Sequence, residues 1–360
     1  MAFVTNSHYG NSTTVDSVSS LPQADLISDT FRRIYVIVNF NTLSLVINFL
    51  GTIGNFINIV VFARQGFSDS VNVSLFGLAV SDFLGLVSLQ WFNICSNELF
   101  AASDIPFDSI EVQYLTSGWP HVAFARTTAW ITAFITFERC LCVTMPLKVK
   151  VIITPRRCAY VIVVIFVTVI ASIVPIYFST FFAWKFYPDR NRTLLGIAFV
   201  ENRVEIESIA IPINGSVIPW SAFIVVIVCT SVLVYSLNSK TKWRNKATFG
   251  VTNLSETENA NSTKSTAGAS VRDRRVVKMV VLISIIFITS FMPFTVCFMW
   301  SAIEPEFSVV GRFQNTFWVA VGVALIMETI NSSVNLILYY RMSSRYRETF
   351  RQLFRLKSVE

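Results

Sequence analysis

The chain has 360 residues, of which 53% are hydrophobic and 14% charged, with a formal net charge of +7. That is too apolar for one soluble core, and apolar stretches recur at about 20 residues, the length a helix needs to cross roughly 30 Å of hydrocarbon. The basic excess gathers in the segments between those stretches, so it speaks for membrane topology and against a nucleic-acid partner.

Residues 1–33 are polar and rich in Ser and Thr, without the basic-then-apolar layout of a signal peptide, and are expected as an extracellular tail. Seven spans follow, at 34–62, 73–94, 114–142, 158–182, 211–237, 276–302 and 313–340. The first serves as its own insertion signal. Lys148, Lys150, Arg156 and Arg157 follow the third span, a larger basic group including Lys240, Arg272 and Arg275 lies between the fifth and sixth, and Arg341 to Lys357 follow the seventh. With seven spans these all fall on one side, which the positive-inside rule makes cytoplasmic. Arg32 and Arg33, which precede the first span on the proposed outside, stand against it. The expectation is an all-α membrane protein: a seven-transmembrane helix bundle over 34–340, a flexible third intracellular loop at 239–274, and a cytoplasmic tail at 341–360. In that tail Tyr346, Phe350 and Phe354 recur every four residues, the pattern of a short amphipathic helix on lipid.

Three sequons, at Asn11, Asn191 and Asn214, fall outside on this topology and are glycosylation candidates. The six cysteines match no zinc or redox spacing. No nucleophile–base pair is visible, so an enzyme is not expected.

Short motifs then align in order, one per span. They are Gly51-Thr52-Ile53-Gly54-Asn55, Leu78-Ala79-Val80-Ser81-Asp82, Glu138-Arg139-Cys140, Ser290-Phe291-Met292-Pro293, and the run from Asn331-Ser332-Ser333-Val334-Asn335 to Tyr339. This series resembles the rhodopsin-like class (class A) of G-protein-coupled receptors over about residues 34–352. The stretch Glu138–Pro155 is similar to molluscan chemosensory and neuropeptide-type receptors. The resemblance implies a heterotrimeric G protein as partner, with arrestin and receptor kinases as further partners, and an extracellular peptide or small polar ligand at a plasma-membrane receptor whose N-terminus is outside. The departures are specific. Tyr114 stands where the family carries a disulfide cysteine, 183–217 contains no cysteine, Phe291 replaces a tryptophan, and Leu336 replaces a proline.

Arg139 closes an apolar run beside Glu138, a costly placement that implies a job. The resemblance makes Asp273 its partner on the sixth helix, so that Glu138 and Asp273 latch Arg139 and Tyr339 belongs to the same coupling region. The alternative is an arginine that reaches out to lipid phosphates. Asp82 is the next expensive residue, with Thr128, Asn331, Ser332 and Asn335 in reach. This cluster reads either as a sodium site of hard oxygen donors or as a protonated acid in a hydrogen-bond network. Higher up, Arg126 and Glu328 either pair with each other or hold a ligand. His121, Phe291, Trp91, Phe92 and Trp300 are candidates for the same cavity. The rival function is a membrane transporter or channel whose pathway is lined by Asp82, Arg126 and Glu328.

Overall fold

A computed structural model of the protein describes residues 25–250, 260–308 and 311–355, with side chains described outside 41, 150, 237–250 and 260–275. Eight helices and one hairpin make the frame. α1 runs Asp29–Val38, widens through a π turn at Asn39–Leu43 and continues over Ser44–Gln65. α2 is Ser70–Cys95. α3 comprises Ser109–Gln113, a π turn at Tyr114–Gly118 and Trp119–Thr144. α4 is Pro155–Ser179. α5 comprises Arg203–Pro212, a π turn at Ile213–Val217 and Ile218–Gly250. α6 is Ala260–Ile303, α7 is Gln314–Met342 and α8 is Ser344–Leu353.

Local chemistry sets the helix starts. Asp69 caps α2 by accepting from the Val71 amide at 3.1 Å. Thr154 caps α4 and Pro155 takes the first helical position, where a missing N–H costs nothing. Ser343 caps α8 by accepting from the Tyr346 amide at 3.2 Å.

Among the described residues, six helices are long and apolar enough to cross a membrane. The seventh, α3, carries Arg126, Glu138 and Arg139 and packs against α2, α4, α5 and α6, so its charges are sheltered by protein. α7 returns to α1 and closes the bundle. Gly51 lets these two helices meet, since a Cβ there would lie 2.1 Å from the Ser333 hydroxyl. Beside it Asn55 donates to the Ser332 carbonyl at 2.7 Å. α4 buries one stripe, Cys158, Ile162, Ile165, Val169, Ile173 and Ile176, at helical spacing. Its other faces expose Val163, Val167 and Phe178, a surface suited to hydrocarbon.

Two expectations about element extent need correcting. The fourth span ends at Ser179, and Thr180–Phe182 open a strand: β1 (Thr180–Tyr187) pairs antiparallel with β2 (Arg192–Phe199). The segment expected as a loop, 239–274, carries helix at both ends, to Gly250 and from Ala260.

None of the six cysteines forms a disulfide. The hairpin is fastened to the start of α3 by other means. Leu195 accepts from the Asp108 amide at 2.9 Å and donates to the Pro106 carbonyl at 3.0 Å. Glu111 accepts from Lys185 Nζ at 2.6 Å and from the Ile197 amide at 2.7 Å. Backbone bonds and three ion pairs, Lys185–Glu111, Arg190–Asp108 and Arg192–Asp104, thus stand where the resemblance leads one to expect a disulfide. α8 folds back beneath the bundle, where Tyr346 is buried against Phe62 and Tyr339 and donates to Asn58 at 2.6 Å.

Candidate functional site

Three polar clusters lie along the axis of the bundle. At the end that carries the basic residues, α3 presents Glu138 and Arg139. Glu138 is completely buried and Arg139 Nη2 donates to its Oε1 at 2.6 Å. Such a charge-assisted bond is short and strong. The carboxylate also bonds Ser70 on its Oε1 and accepts from Ser74 at 3.1 Å on its Oε2, both from α2. Above the pair, Thr136 and Ser284 hydroxyls meet at 2.9 Å and join α3 to α6. Tyr339 is buried between Phe62 and Tyr346, and its hydroxyl has no hydrogen-bond partner among the described residues. The side chain of Asp273 lies outside the described residues, as do those of the third-loop serines and threonines.

In the middle, Asp82 is buried and holds three donors. Its Oδ1 accepts from Thr128 at 2.9 Å and Ser332 at 3.0 Å, and its Oδ2 from Asn335 at 2.8 Å. Asn331 is buried on the same helix but is not among the donors to Asp82. The cavity here is enclosed by Asp82, Ser81, Thr128, Ser332, His121 and Glu328 among others, and its volume is about 10 Å³. That admits one water-sized group. One carboxylate with three hydroxyls is a hard-oxygen donor set, which fits a small cation such as sodium. It leaves no room for an organic ligand.

Toward the other end, of the two readings left open for Arg126 and Glu328, the direct pair is not formed. Glu328 faces His121, with Nε2 and Oε1 3.4 Å apart, and His121 Nδ1 lies 3.2 Å from the Gly85 carbonyl. Arg126 turns away. Its Nε donates to the Asn214 carbonyl at 2.9 Å and its guanidinium sits 5.5 Å from the Phe294 ring centre. It lines a second cavity, between α3, α5 and α6, with Trp119, Val122, Ile211 and Phe298.

Other candidates go elsewhere. Phe291 is buried against Phe287, at 4.8 Å between ring centres, below the Arg126 cavity. Phe92 packs on Phe40 between α2 and α1. Trp91 points into an outward crevice between α1 and α2, with Phe49 and Val87. Trp300 is half exposed. These two tryptophans are therefore corrected out of the interior pocket, because both lie on outward faces of their helices.

Asn214 needs the clearest correction. It was expected outside as a glycan site, but α5 begins at Arg203, eight residues earlier than the apolar run suggests, which draws Asn214 inside. It is 1% exposed and donates to the Ser172 and Ala210 carbonyls at 3.0 Å each. Asn191 stays exposed, at the hairpin tip with φ 47°. Asn11 lies outside the described residues. Sequence reading also missed Ser70, Ser74, Trp119 and Phe294. The serines had a signal, since Ser70, Ser74 and Ser81 fall four and seven residues apart on one face of α2.

Residues 41–357 match the family described as serpentine type 7TM GPCR chemoreceptor Srw. Among characterised proteins, the chain is 26% identical to the galanin-like G-protein coupled receptor npr-9 of Caenorhabditis elegans over 349 residues, covering 90% of this chain and 74% of that one. It is 32% identical to the FMRFamide peptide receptor frpr-18 of the same nematode over 153 residues, 42% of this chain and 34% of that one. It is 25% identical to the human thyrotropin-releasing hormone receptor over 365 residues, 95% of this chain and 84% of that one. A helical bundle of multiple membrane spans, with an arginine held by an acid at one end and a buried cation lining a cavity toward the other, agrees with that match: the chain belongs to the serpentine 7TM chemoreceptor family and is a G-protein-coupled receptor.

Proposed function

We propose that this receptor lies in the plasma membrane with its N-terminus outside, and that it answers an extracellular peptide or small polar molecule by activating a heterotrimeric G protein through Arg139. The observation that carries the reading is the Glu138–Arg139 pair at the basic end of the bundle, 2.6 Å apart and fixed from α2 by Ser70 and Ser74. Arg139 so held is not free for a partner protein. An agonist that prefers an arrangement in which α6 moves outward shifts the population toward a free Arg139. Asp273 supplies the restraint from α6. Breaking a partly buried ion pair of this kind costs a few kcal/mol, within what an agonist's differential affinity can provide.

A peptide is the favoured ligand because the named relatives are receptors for peptides or galanin-like. The orientation rests on the concentration of basic residues at the Arg139 end. Arrestin and receptor kinases are further partners of that end, and α8 rests on membrane lipid with Phe350 and Phe354. Sodium in the Asp82 cavity holds the inactive arrangement. The transport reading gains no support, since Arg126 and Glu328 line separate cavities and not one pathway.

The test needs no ligand. Wild type, Asp273→Ala and Arg139→Ala are expressed at matched surface level with a panel of G-protein dissociation sensors. Asp273→Ala raises basal signalling and Arg139→Ala abolishes it. Silence of all three with every G protein sinks the coupling role given to Arg139.

A further inference from the structure

The two buried charges of the outer half do different work, and the division is geometric. Glu328 faces the one-water cavity that also holds Asp82 and His121. Arg126 faces the cavity between α3, α5 and α6. The Arg126 side chain is 2% exposed, its Nε is taken by the Asn214 carbonyl, and its Nη1 has no partner among the described residues. No carboxylate among the described residues lies within ion-pair distance of it. A guanidinium withdrawn from water with only a carbonyl and a ring face as partners is expensive. Phe294 recovers part of that cost through its π face. An anion recovers far more, because the fork of a guanidinium matches a carboxylate.

The cavity at Arg126 measures about 30 Å³, room for roughly two or three water-sized groups; we propose that Arg126 is the docking point for a carboxylate on the agonist, with the first carbons beside that carboxylate against Trp119, Phe294 and Phe298. The inference rests on the receptor reading above and names the chemical class its site takes. In the rest of the wall, Val122, Ile211 and Gly215 offer no side-chain acceptor or charge, and Asn214 commits its side-chain amide to Ser172 and Ala210. A ligand anion therefore has one counter-ion there, and a ligand cation has none. Glu328 is removed from ligand contact by its own cavity, which is too small for anything beyond one water-sized group.

The probe is propionate, short enough for the cavity, compared with propionamide, which has the same body and no charge. Each is added at saturating concentration to the purified full-length receptor and the melting temperature is read. A ligand that binds only the folded protein raises it by mass action. The carboxylate is expected to raise it by a few degrees and the amide to leave it unchanged. Arg126→Gln removes the difference, Arg126→Lys retains part of it, and Glu328→Gln retains all of it. Should Arg126→Gln fail to fold, the wild-type comparison of acid with amide decides by itself. No response to the carboxylate, an equal response to the amide, or an undiminished response in Arg126→Gln overturns the proposal. The readout is independent of signalling. A carboxylate-specific shift in a receptor that couples to nothing keeps the anion site and sinks the coupling reading, whereas a coupled receptor without the shift sinks the anion site alone.

Discussion

His121 and Glu328 face each other across 3.4 Å, on α3 and α7, with side chains 8% and 4% exposed. Apart from that contact, His121 Nε2 and both Glu328 oxygens have no hydrogen-bond partner among the described residues. Two buried groups whose main polar contact is each other should be strongly coupled. A double-mutant cycle of His121→Ala and Glu328→Ala, read by thermal unfolding of the purified receptor, is expected to give an interaction of about 1–3 kcal/mol. Strict additivity would mean that the two side chains stand near each other without stabilising the α3–α7 contact.

Glu138 restrains Arg139 only while Glu138 is itself held. Ser70 and Ser74 do this from one face of α2. A hydrogen bond to a charged group contributes about 1.5–3 kcal/mol. Removing both hydroxyls in Ser70→Ala with Ser74→Ala frees the carboxylate to swing, and basal G-protein signalling should rise several-fold at matched surface expression. A double variant no more active than wild type would place the whole restraint on α6.

Asp82 gives a salt-specific expectation. If a sodium ion in its cavity favours the inactive arrangement, replacing sodium by choline at constant ionic strength raises basal signalling in the wild type. Asp82→Asn removes that dependence, because the amide presents neither the charge nor the second oxygen. An equal response of both proteins to the exchange would show that the effect lies elsewhere and that Asp82 serves only its three donors. Holding ionic strength constant separates ion binding from the screening of surface charge.

The spans were legible because hydrocarbon imposes a length on them, and the cluster of Asp82 with Thr128, Ser332 and Asn335 was legible from helical spacing together with the receptor motifs that set those helices side by side. What escaped depends on which face of a helix meets which neighbour. Trp91 and Arg126 sit at the same height as true pocket residues, but a rotation of one position along the helix sends Trp91 into the α1–α2 crevice. Arg126 and Glu328 have opposite charges on facing helices, so pairing them was one natural expectation. The Asn214 carbonyl, brought inside by the early start of α5, takes the arginine instead, and His121 takes the acid. The β1–β2 hairpin was hidden because Thr180-Phe181-Phe182 prolong the apolar run of α4, and only aromatic content marks the strand that continues to Tyr187.

The two glycosylation candidates Asn191 and Asn214 now separate cleanly. Asn191 stands exposed at the hairpin tip in the left-handed region, where asparagine is tolerated better than most residues. On the proposed topology it is open to the glycosylation machinery. Asn214 spends its amide on two backbone carbonyls, Ser172 on α4 and Ala210 on α5, while its own Oδ1 accepts from the Ser172 hydroxyl at 2.9 Å. A glycan has no space there, and losing the amide leaves buried carbonyls unpaired at about 1–3 kcal/mol. Asn191→Gln should therefore shorten the glycosidase-sensitive mass of the expressed receptor with surface level intact. Asn214→Ala should leave the glycan mass unchanged and reduce the amount of folded receptor at the surface. A glycosidase-sensitive mass that falls in Asn214→Ala would contradict the α4–α5 packing, and with it the carbonyl that orients Arg126.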